Sequence, residues 1–262
     1  MKAKLLIRWA TVLCLATTWF GQTPSALALT PEQIQQKLQE IPVFTITNDK
    51  GEILLAAGKN EKKSVVLFIS KEEAQKSIQQ LKQKNPSQPL QVMPISLGRM
   101  YQTIRENQAD PQSPLMSLVP IPSELTAAQQ LLGSQQQFQG VPLFYATIKI
   151  PPAPNESAGK PQEAYLTAPD NKNNPMIPFY FEKETIQKLV EDFKKAQPEQ
   201  ASNIQIRVVP LESLLTAFER NDNATEEKAK ENMVIVPSRE SIQFIQNLPT
   251  EPAPAATPPK KK

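Results

Sequence analysis

In this 262-residue chain the side chains closest to a reaction centre in type and spacing are three acidic pairs, Glu72-Glu73, Glu191-Asp192 and Glu226-Glu227. Paired carboxylates can act as acid and base across a glycosidic bond. Each pair falls on the polar face of a helical stretch or in a charged connector, where solvation accounts for it. Histidine is absent and the single cysteine is Cys14, close to the N-terminus. Neither a Ser-His-Asp nor a Cys-His centre can be built from that inventory, and the usual soft ligands for zinc or copper are missing. With 7 glycines there is also no glycine-rich phosphate loop. The chain reads as a binding protein with no catalytic residues, no metal and no cofactor.

The first 28 residues read as a cleavable export signal. Lys2, Lys4 and Arg8 supply a basic start, residues 5–20 an apolar core, and Ala26-Leu27-Ala28 a small-residue cleavage site before Leu29. Both tryptophans, Trp9 and Trp19, fall in this segment, as does Cys14. Removing its three basic residues from the 29 in the chain leaves 26, equal to the acidic count. A neutral remainder has no electrostatic footprint for nucleic acid. Export without cysteine suits a periplasm first and a thylakoid lumen second.

The elements that remain read as one α/β (α+β) unit stated twice. Residues 64–107 run strand, amphipathic helix, strand ending in Pro94, helix, and residues 176–221 repeat the order around Pro210. Ile41-Pro42-Val43-Phe44 has its echo in Val141-Pro142-Leu143-Phe144, and residues 116–132 have a rougher counterpart in 233–248. The expected organisation is a signal at 1–28, an N-terminal helix and first repeat at 29–140, a second repeat at 141–248, and a Pro/Lys-rich tail at 249–262. Proline at that density cannot build a core. The tail's lysines could make peripheral contact with an anionic membrane or simply solubilise the end.

Local signals mark the boundaries. Thr30 with Gln33 forms a capping box, Ser70 with Glu73 another, and Asn48-Asp49-Lys50-Gly51 is a hairpin turn. Leu97, Met100, Tyr101 and Ile104 recur at i, i+3, i+4, i+7, as do Leu211, Leu214, Leu215 and Phe218. Two such stripes are either ordinary core or, where the sheets do not consume them, apolar grooves. The candidate groove residues are Phe44, Leu97, Met100, Tyr101 and Ile104 in one half, and Phe144, Leu214, Leu215 and Phe218 in the other.

The Ile41–Phe44 strand with its Asn48–Gly51 turn, the Val65–Phe68 strand and, above all, residues 92–102 (VMPISLGRMYQ) resemble the Tic-twenty-two-like family. That family comprises a soluble component of the chloroplast inner-envelope protein translocon and its cyanobacterial periplasmic relatives; the signal segment favours the cyanobacterial branch. The resemblance implies a pseudo-two-fold protein with apolar pockets on either side of one central sheet. It also implies a chaperone-like role in protein transport and outer-membrane biogenesis. The partners implied are unfolded outer-membrane precursors and an outer-membrane barrel-assembly protein. A docking scaffold for that pore, a lipid-carrying groove, and a carboxylate enzyme on cell-wall glycan remain as alternatives.

Overall fold

A computed structural model of the chain describes residues 28–57, 62–107, 109–133, 136–150, 162–220 and 224–247. The predicted signal up to residue 27, residues 151–161 and the predicted tail at 249–262 lie outside them. Helix α1 (Pro31–Gln39) begins with the expected capping box: the Gln33 amide donates to Thr30 Oγ1 at 3.2 Å, and the Thr30 amide to Gln33 Oε1 at 2.8 Å. Strand β1 (Pro42–Asn48) turns where Asn48 Oδ1 accepts from the Lys50 and Glu52 amides. Gly51 there has φ +79°, which glycine adopts without steric cost. There follow β2 (Leu55–Ala57), β3 (Lys63–Phe68), α2 (Lys71–Lys84), β4 (Leu90–Ser96), α3 (Leu97–Glu106), β5 (Leu115–Val119) and α4 (Pro122–Leu132). Ser70 caps α2 by accepting from the Glu73 amide.

The remainder comprises β6 (Pro142–Ile150), β7 (Gln162–Tyr165), β8 (Ala168–Pro169), β9 (Pro175–Tyr180), α5 (Lys183–Ala196), a 3-10 turn at Pro198–Asn203, β10 (Ile204–Pro210), α6 (Leu211–Glu219), α7 (Ala224–Asn232), β11 (Met233–Val236) and α8 (Arg239–Gln246). The mixed α+β class is as expected. The single central sheet is not: the strands form a five-stranded and a six-stranded sheet. Among the described residues β4 pairs with β1 alone and β10 with β6 alone, so these edges do not join the two sheets.

Four strands of each sheet are connected alike. β4 runs antiparallel to β1, β1 meets β3 at Phe44 opposite Phe68, and β5 adds parallel to β3. In the second sheet β10 runs antiparallel to β6, β6 meets β9 at Phe144 opposite Tyr180, and β11 adds parallel to β9. A shared core joins the halves, with Val43, Leu67, Leu97 and Met100 packed with Leu143, Phe179, Leu214 and Phe218. The outer faces are covered by exchange. Ala128 of α4 packs beneath the second sheet with Ile186 of α5, while Phe244 of α8 joins Phe44, Ala74 and Ile78 on the first. Each outer core is therefore completed by a helix from the other half of the chain.

Candidate functional site

The nine candidate groove residues are core. Leu97, Met100, Tyr101, Leu214, Leu215 and Phe218 are buried in the shared core, with Ile104 half-buried at its margin. Phe44 is buried on the outer face of the first sheet, its ring edge-on to Phe244 at 5.4 Å. Phe144 is buried under α4 and α5. The two helical stripes meet the same central core, so each is consumed by the other half, which a helical wheel cannot reveal. A polar seal closes the junction: Tyr101 Oη donates to Glu219 Oε1 at 2.7 Å and Arg105 Nη1 reaches the same oxygen at 2.9 Å. Burial, then Glu219 beside it, pushes the Tyr101 phenol up.

An open depression lies elsewhere. A depression of about 580 Å³ runs along β10 and over β6 to β7, lined by Leu131 and Leu132 at the end of α4, by Ile206, Arg207 and Val208, and by Tyr145 and Tyr165. Leu131 is 38% exposed, Leu132 40% and Tyr165 39%, and the three large side chains gather around one depression. The floor is rigid. Tyr145 packs against Tyr165 and Phe179 with ring centroids 5.7 and 5.0 Å away. Thr147 Oγ1 donates to Glu163 Oε1 at 2.6 Å, and Arg207 Nη2 donates to it at 2.8 Å. Those bonds, the Thr147 hydroxyl's first, hold the Glu163 carboxyl below its usual range. The ion pair leaves the wall without net charge.

A second, shallower depression of about 180 Å³ sits beside β4, between Pro94, Ile95, Ser96, Glu40 and the α8 residues Phe244 and Ile245. None of the nine predicted residues lines either depression. Tyr145 and Tyr165 carried a weak signal, as aromatics in strand-like sequence. Nothing local shows that the β10 edge stays open among the described residues. Among the described residues no group of three or more acidic, His or Cys side chains could hold a metal, and no helix is long and apolar enough to cross a membrane.

A family model described as the Tic22-like family matches residues 8–247. The chain belongs to the Tic22-like family. The resemblance read from residues 92–102 is thereby met. This Tic22-like chain is 25% identical over 232 residues to the protein TIC 22, chloroplastic, of Arabidopsis thaliana, covering 86% of this chain and 75% of that one. A solved Tic22 of Anabaena, a protein-transport protein, superposes with a TM-score of 0.68 at 27% identity, over 86% of this chain and 100% of that one. The Anabaena match agrees with the cyanobacterial branch. Tic22 from Plasmodium falciparum, at 20% identity and a TM-score of 0.61, shares the fold.

Proposed function

We propose that this Tic22-like protein serves protein transport as a periplasmic, non-enzymatic chaperone. It holds apolar segments of unfolded outer-membrane precursors and passes them to the barrel-assembly machinery. Family membership supports the transport reading, and the exposed Leu131-Leu132-Tyr165 depression carries the binding reading. A wide wall that sets exposed apolar side chains beside a neutral ion pair holds segments without sequence specificity, as clients of many sequences require. The strands of an unassembled outer-membrane barrel alternate apolar and polar residues, so each offers one apolar face.

The chain from residue 29 onward contains no tryptophan, so a client's own emission reports binding. The protein is titrated into a urea-diluted barrel precursor while Trp emission and light scattering are followed. A saturable emission change with suppressed scattering supports the reading. Scattering unchanged from buffer alone overturns it and points to a docking scaffold that binds no client.

A further inference from the structure

Among the described residues β10 pairs with β6 alone, and its ladder shows which main-chain groups face outward. The Leu211 amide donates to the Val141 carbonyl at 2.8 Å. The next pair, Pro210 opposite Pro142, is therefore a non-bonded pair, as two residues without N–H groups must be, and the pairs alternate from there. Val209, Arg207 and Gln205 bond to β6. Ile204, Ile206 and Val208 turn their N–H and C=O groups away from it. The far side of the ladder agrees: the carbonyl of Ala146, opposite Ile206, accepts from Leu166 on the β7 side at 2.8 Å.

The depression lies on this edge. Side chains of consecutive strand residues point to opposite faces, so a space that touches Ile206, Arg207 and Val208 together reaches around the edge. Leu131 and Leu132 flank it on one face, with the Arg207–Glu163 pair and Tyr145 on the other. The equivalent edge in the first sheet is blunted. There Pro94 interrupts the outward donors of β4 between Val92 and Ser96, a common protection of edge strands.

Resting on the chaperone reading above, we infer that β10 is a docking strand, to which a client segment adds in extended form as one more strand of the second sheet. The occupant has apolar residues at every second position. One set of its side chains lies beside Leu131, Leu132, Ile206 and Val208, and the other set faces the neutral Arg207–Glu163 wall. A second copy of this chain fits less well. The seven-residue strand spans about 23 Å at about 3.3 Å per residue, short for the ~800 Å² per partner of a stable dimer. Main-chain pairing binds many sequences briefly, which suits a carrier.

The probe is a dye-labelled ten-residue peptide alternating valine and threonine, followed by fluorescence anisotropy. Two further versions carry N-methyl groups on all valines or on all threonines, which block opposite edges of an extended chain. The expected result is asymmetric: one methylated version loses about tenfold or more in affinity while the other stays within about threefold. Equal effects of the two methylations overturn the proposal. Ile206→Pro, which deletes one outward N–H and leaves the β6 bonds intact, is expected to weaken the unmodified peptide about tenfold, with Val92→Pro on β4 neutral. Should Ile206→Pro fail to fold, the methylated peptides still decide. A protein that suppresses precursor aggregation yet treats both methylated peptides alike retains the chaperone reading and loses the docking strand. One that neither suppresses aggregation nor distinguishes the methylated peptides loses both. Sedimentation showing a dimer that Ile206→Pro dissociates would replace the client with a second copy and overturn the assignment.

Discussion

Glu240 Oε1 accepts a hydrogen bond from the backbone N–H of Glu72, 3.1 Å away and 168 residues earlier in the chain. In the other half Glu124 Oε2 accepts from the Lys183 N–H at 2.9 Å. Each exchanged helix, α8 or α4, thus lends a carboxylate to the N-terminus of the helix it packs beside. A negative charge there satisfies an orphan amide and opposes the helix dipole.

Removing either cap should cost stability without touching the β10 edge. Glu124→Ala and Glu240→Ala are each expected to lower unfolding free energy by about 1 kcal/mol, the usual cost of losing a helix cap. The double variant is expected to be additive, because the two caps serve different sheets. Urea titration of both singles and the double checks this.

Burial pushes the Glu124 carboxyl above its ordinary value, the Lys183 amide only partly offsetting it. A raised folded-state value means that the native chain holds this proton more tightly than the unfolded chain. The ionised form therefore erodes stability as pH rises from 4.5 through the raised value. Against Glu124→Gln, the wild type should lose relative stability as pH climbs through that window. A stability difference independent of pH would contradict it.

Gly98 sits where α3 crosses α1. A Cβ there would lie 2.5 Å from the Gln35 carbonyl oxygen and 2.8 Å from the Gln39 nitrogen, both backbone atoms that cannot rotate aside. Gly98→Ala should destabilise by about 1–3 kcal/mol through overpacking, although alanine is the better helix former. A thermal melt decides the sign.

Phe218 is fully buried in the shared core, under Lys37, whose Nζ donates to the Glu231 and Met233 carbonyls at 2.8 and 3.0 Å. Phe218→Ala is expected to cost about 3–5 kcal/mol, and one denaturant transition should report both halves because this core spans them. Leu131→Glu with Leu132→Glu should do the reverse: stability within about 0.5 kcal/mol of wild type, with client retention lost. Equal losses of stability would show that the exposed leucines are structural.

Much of the fold was legible in the sequence because its signals act within one turn of chain. Thr30 with Gln33, Ser70 with Glu73, and Asn48 through Gly51 specify caps and a turn by hydrogen bonds spanning two to four residues. The stripes of α3 and α6 declared which face each helix would bury. The strand-helix-strand-helix order around Pro94 and Pro210 matches the elements observed in each half, although the single sheet expected from it is two.

Tertiary structure alone decided what those faces meet. Leu97 to Ile104 and Leu211 to Phe218 read equally well as groove or core, because periodicity gives a direction and no partner. Packing of the two halves against each other resolved it toward core. The exchange of α4 and α8 depends on contacts such as Glu72 with Glu240. Openness of the β10 edge depends on the absence, among the described residues, of a strand that pairs with Ile204, Ile206 and Val208. Both are long-range properties, set by the three-dimensional competition for apolar area and main-chain partners.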